Sequence, residues 1–76
     1  MAMSPKKDDL MAFAARMREA RKNAGYTIMD VSAATGINKN TISNVETGRS
    51  GGTLIVVAAM AELYGANLDW LVLGRG

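Results

Sequence analysis

Leu10, Phe13, Ala14, Met17 and Ala20 recur at the three- and four-residue intervals of one helical face. The run closes near Gly25, a residue suited to a helix C-cap. Ser4-Pro5 upstream reads as an N-cap followed by proline at the first helical position, where its missing N–H is no loss. Thr27 then opens a second helix of about eight residues. Asp30, three positions on, makes the pattern close to a capping box, Val31 and Ala34 are expected to point inward, and Gly36 ends the helix. Asn38 caps a third helix running to about Thr47, with Gly48 as its stop. After the glycine-rich stretch "GRSGGT", Thr53 caps a fourth helix through Tyr64, ended by Gly65, and "ANLDWLVLG" gives a short fifth. The pattern therefore predicts an all-α chain of five helices, with no repeat, low-complexity tract or interdomain linker.

The third helix breaks the usual rule for solvent-facing positions. At 100 degrees per residue, Ile42 and Val45 point one way, while Asn40, Ser43, Asn44 and Thr47 cluster opposite them with Lys39 at the edge. Exposed helix faces are ordinarily built from Glu, Lys, Gln and Arg, which favour the helix, whereas Asn, Ser and Thr oppose it. A face made of the second set is selected for something other than helix stability. Short amide and hydroxyl side chains meet base edges and phosphates at close range, and asparagine pairs bidentately with adenine.

Composition narrows the chemistry. The 76 residues contain neither cysteine nor histidine, which removes disulfides, thiolate nucleophiles, imidazole bases and the usual zinc ligands together. The acidic residues Asp8, Asp9, Asp30, Glu46 and Glu62 are dispersed, so no catalytic constellation is expected, and the chain reads as a non-enzyme without cofactor or metal. Its beginning, "MAMSPKKDDL", lacks an apolar run, so neither a signal peptide nor a membrane span is expected, and a cytoplasmic location follows. The net charge of +2 is mild but uneven. Arg16, Arg18, Arg21, Lys22, Lys39 and Arg49 face Glu19, Asp30 and Glu46 in the first two thirds, which permits a polyanionic partner. Trp70 in "LDWLV" lies among apolar neighbours and reads as core or interface rather than as a base-stacking platform, and the six methionines, without repeating pattern, read as gap-filling residues and termini.

Two short helices meeting at Gly36, with Ser32 at their approach and Ile37, Ile42 and Val45 inward, fit a helix-turn-helix. Beyond that unit, "MREARKNAGYT", "GINKNTISNVETGR" and "LDWLVLG" resemble, in order and spacing, the Cro/CI-type (XRE) family of phage repressors and bacterial regulators, over residues 13 to 74. The resemblance implies a five-helix lambda-repressor-like domain spanning 1–76, with residues 1–7 as a flexible N-terminal arm and the third helix as recognition helix. Its base-contacting positions fall on Lys39, Asn40, Ser43 and Asn44. Its backbone-contacting positions fall on Thr27, Asn38, Thr47 and Arg49, with Thr41 nearer the DNA backbone, and its ion pair between the first and third helices falls on Arg21 and Glu46. Two positions depart from the family. Ile28 stands where glutamine commonly contacts DNA backbone and braces the recognition helix, so either the second helix docks differently or Ile28 packs on sugar or a thymine methyl. Gly51-Gly52 replaces a loop proline, which is expected to loosen the loop.

The fourth helix, "TLIVVAAMAELYG", has Glu62 as its only charge. With Leu54, Val57, Ala58 and Ala61 taken as the inward stripe, Ile55, Val56 and Ala59 form a surplus apolar face. Together with Leu71 and Leu73 of the fifth helix they are expected to form the interface of an isologous homodimer that holds two recognition helices about 34 Å apart. The function expected is a sequence-specific transcriptional regulator, a phage-type or restriction-modification controller repressor acting on a pseudo-palindromic operator. Its partners are double-stranded DNA and a second copy of itself, without a small-molecule effector. The alternative is an antitoxin whose DNA binding is autoregulatory.

Overall fold

α1, Lys7–Asn23, carries Asp8 and Asp9 in its first turn and Arg21 and Lys22 in its last, a distribution of charge that suits the helix dipole at both ends. The computed structural model describes residues 7–75, so the Ser4-Pro5 start and residues 1–6 of the expected arm lie outside the described residues, while residue 7 already belongs to α1. α2 (Ile28–Thr35), α3 (Lys39–Glu46), α4 (Leu54–Tyr64) and α5 (Leu68–Leu73) follow. The described residues are helical with no strand among them, the five-helix all-α fold the pattern predicts.

Each of α2 to α5 begins where a side chain satisfies its free N–H groups. At α2 the capping box is complete: the Asp30 N–H donates to Thr27 Oγ1 at 3.0 Å and the Thr27 N–H donates to Asp30 Oδ2 at 2.9 Å. The hydrogen bond from the Thr27 backbone, with that from its side chain, holds the Asp30 carboxyl below the ordinary aspartate range. Asn38 Oδ1 accepts from Asn40 N at 2.7 Å to start α3, Thr53 Oγ1 accepts from Val56 N at 3.2 Å to start α4, and Asn67 Oδ1 accepts from Asp69 N at 2.7 Å to start α5.

All five helices contribute to one core. Met17 of α1, Val31 of α2, Ile42 and Val45 of α3, Met60 of α4 and Leu71 of α5 are fully buried, each removing apolar surface whose burial stabilises by roughly 1.5–3 kcal/mol. Three inward assignments made from periodicity are corrected. Ala34 is exposed, because the buried side of α2 runs through Val31 with the part-buried Ile28, Ser32 and Thr35, and Ala34 lies well off that line. Leu54 is 78 % exposed although it is in register with Val57 and Ala61, since the first turn of α4 overhangs the core. Ala58 is only half-buried, and Met60 takes the deep position instead.

The loop between α3 and α4 shows why glycine replaces proline there. Gly52 has φ of +72°, a left-handed conformation, and a Cβ built on it would stand 3.0 Å from Val45 Cγ2. A side chain at Gly52 would be strained by this backbone conformation and would crowd Val45, so the position favours glycine and excludes proline.

Candidate nucleic-acid interface

α2 and α3 meet across the turn at Gly36, whose φ of +75° is left-handed. The Ser32 hydroxyl donates to the Ile37 carbonyl at 2.7 Å, and Thr35 Oγ1 accepts from Ile37 N at 3.2 Å while donating to the Val31 carbonyl at 2.7 Å. These bonds staple the turn from within, so the angle between the two helices is set by the chain's own polar groups. Below it Ile42 and Val45, fully buried, fix the rotation of α3 about its axis.

With that rotation fixed, Asn40, Ser43, Asn44, Thr47 and Arg49 line one shallow concave patch. Asn40, Thr47 and Arg49 are exposed and Ser43 and Asn44 half-buried. Lys39 is exposed at the first residue of α3, outside the patch's lining, and Thr41 is half-buried on the flank. The Thr47 hydroxyl donates to the Ser43 carbonyl at 2.9 Å, and the backbone N–H groups of Arg49 and Ser50 donate to the Asn44 carbonyl at 3.0 and 3.3 Å. Helix end and loop start are thus bound together by backbone groups. Among the described residues, the side-chain hydrogen bonds around α3 run through Ser32, Thr35, Asn38, Glu46 and Thr47 and leave the amides of Asn40 and Asn44 free to meet a partner.

α3 is braced from the opposite end by α1. Arg21 Nε donates to Glu46 Oε2 at 2.8 Å and Nη2 donates to Oε1 at 3.0 Å, a bidentate pair, while Nη1 donates to the Tyr26 carbonyl at 2.8 Å. The two side chains are 10 % and 4 % exposed. Hydrogen bonding to the Glu46 carboxylate holds the guanidinium even more firmly protonated than usual, outweighing the opposing effect of burial. Tyr64 lies beside the same pair and tilts against Tyr26, ring centroids 6.2 Å apart. Burial first, and the Glu46 carboxylate second, push its phenol up to about 12, and its buried hydroxyl has no hydrogen-bond partner among the described residues.

Ile28, at the family's glutamine position, is part-buried against the core cluster, and Met29 beside it is exposed. Of the residues expected at a subunit contact, Ile55 is 78 % and Leu73 58 % exposed, and Val56 and Ala59 are half-buried. Leu71 is 0 % exposed: it points into the core of its own chain and has no surface to offer a partner. Leu54, expected to face inward, is exposed instead, and so is Val72, within the apolar end of α5 from Leu71 to Leu73 expected at the contact. The signal for Val72 was its place next to Leu73, one step round α5 from the buried Leu71. Among the described residues no three His, Cys, Asp or Glu side chains gather as a metal site, and no helix is long and apolar enough to cross a membrane.

The helix-turn-helix so built is a DNA-binding architecture, in which the second helix of the pair enters the major groove. The family model described as helix-turn-helix domain matches residues 12–71, and the chain belongs to that family. No curated protein and no solved structure matches the chain.

Proposed function

We propose that this helix-turn-helix protein is a sequence-specific transcriptional regulator of the Cro/CI type, a repressor that binds a pseudo-palindromic operator as a homodimer. The observation that carries the reading is the concave patch of Asn40, Ser43, Asn44, Thr47 and Arg49 on α3. In this reading Lys39, Asn40, Ser43 and Asn44 meet base edges in the major groove, where asparagine amides suit adenine. Arg49, Thr47, Thr41, Asn38 and Thr27 bind the phosphate backbone at the flanks and set register without reading sequence. Ile28, engaged with the core, leaves backbone contact at α2 to Thr27. Ile55, Val56, Ala59 and Leu73, joined by Leu54 and Val72, form the contact between copies, and the function calls for no catalysis and no small-molecule effector.

Selection from a pool of random duplexes tests it. The wild-type protein is expected to enrich one consensus, and Asn44→Ala to relax one position of each half-site while keeping its helical content. Absence of enrichment by the wild type would overturn the reading.

A further inference from the structure

The side chain of Arg16 reaches across 55 residues of sequence to the other end of the chain. Its Nε donates to the Leu71 carbonyl at 2.8 Å and its Nη2 to the Val72 carbonyl at 3.2 Å. Those carbonyls belong to the last turn of α5, where backbone acceptors lack intrahelical donors and a cation is favourably placed. A second observation converges on the same place. Gly74, with φ of +76°, ends α5, and a Cβ built there would stand 3.2 Å from Arg16 Nη1. Any larger residue at that position would press on the guanidinium as well as strain the backbone.

Attachment of α5 to the fold does not depend on this clamp, because Leu71 is fully buried and anchors the helix. Beyond it, Val72 and Leu73 complete the last turn of α5, the turn whose carbonyls Arg16 holds. Val72 and Leu73 are 51 % and 58 % exposed. Val72 lines an apolar cavity of about 330 Å³ together with Phe13 of α1 and Leu54 of α4, and among the described residues Asp9 is the only charged side chain on its wall. Ile55 stands next to Leu54 on the outer surface. This region therefore offers both a recess and exposed apolar side chains able to fill one, which is the requirement for a self-complementary surface across a two-fold axis. A second copy of the chain is the occupant that brings both halves.

We propose that Arg16 is a positioning residue for self-association: by holding the Leu71 and Val72 carbonyls, it fixes the end of α5 so that Val72 and Leu73 meet Leu54 and Ile55 of a second copy in one apolar contact. The proposal rests on the homodimer reading above and adds a charged residue of α1 that holds the contact from behind, through the backbone of Leu71 and Val72.

Sedimentation equilibrium on wild type, Arg16→Met, Arg16→Lys and Gly74→Ala tests it, with binding to the selected operator and to a duplex carrying one half-site measured in parallel. Arg16→Met and Gly74→Ala are expected to raise the dimer dissociation constant about tenfold, the scale of one lost charge-assisted hydrogen bond. Both weaken operator binding and leave half-site binding and helical content unchanged, and Arg16→Lys recovers part of the loss. Gly74→Ala disturbs the clamp from beyond the buried Leu71, so it reports even where Arg16→Met folds poorly. Variants that dimerise as tightly as wild type overturn the role of Arg16, as does equal loss on operator and half-site. A wild type that stays monomeric at every concentration overturns the homodimer itself.

Discussion

Arg49 and Tyr64 illustrate two residues whose roles separate by measurement. Arg49 is exposed just past α3, on the rim of the concave patch. As a phosphate contact it carries counterion release and no sequence information, so Arg49→Ala should weaken selected and random duplexes alike and reduce the slope of log K against log salt by roughly one per lost contact. An unchanged slope places Arg49 away from phosphate. Tyr64 has its phenol raised from 10.0 to about 12 and its hydroxyl buried without a partner. The unfolded chain releases that proton from the ordinary value upward while the folded protein holds it. This contribution to stability is therefore present below pH 10.0 and lost as pH rises toward about 12. Tyr64→Phe should be at least as stable as wild type at neutral pH, since no buried hydroxyl is left unsatisfied, and should lose less stability in alkali. Thermal melts across that range check it, and a constant difference between the two proteins would contradict it. At this scale the sequence was partly legible. The polar face of α3 followed from the helical repeat alone, because Ile42 and Val45 fix its rotation. The burial of Leu71 and exposure of Leu54 depend on where the core ends along a helix axis, which periodicity does not contain.

At the scale of elements, caps and turns were the most legible feature. Thr27 with Asp30, Asn38 and Thr53 cap where the pattern places them, because each satisfies N–H groups local in sequence. Thr27→Ala should cost about 1 kcal/mol, read from denaturant unfolding; no loss would mean that α2 is held by packing alone. The bond between α1 and α3 is long-range, and its two partners could be named only through the family resemblance. With Arg21 and Glu46 nearly buried and bidentate, removing either alone should destabilise by about 3–5 kcal/mol, since the remaining charge loses its partner inside the protein. Removing both should cost less than the sum of the single losses. Strict additivity in the double-mutant cycle would contradict the coupling. The Arg16 clamp on α5 gave no signal in the sequence. An arginine on a helix and a carbonyl 55 residues away are joined only by the packing of α1 against α5.

For the whole molecule, the pairing of a polar reading face on α3 with an apolar surface on α4 and α5 is what joins the two halves of the proposed function. Ile55, 78 % exposed and outside the core cluster, can take a charge without disturbing the core, so Ile55→Glu should leave a folded monomer with weakened operator binding. A dimer as tight as wild type would remove Ile55 from the contact. The five-helix order was legible because α1 carries a clear apolar face and α2 to α5 carry their own caps. The apolar surface was legible only as a surplus, since which apolar residues are left outside depends on how α1, α2 and α5 close over α4. Recognition of a two-fold symmetric site by a two-fold symmetric protein joins both surfaces in one observable, the consensus selected from random duplexes. The account predicts an inverted repeat whose half-site centres lie about one helical turn, roughly 34–36 Å, apart. A consensus without two-fold symmetry, or none at all, would contradict it.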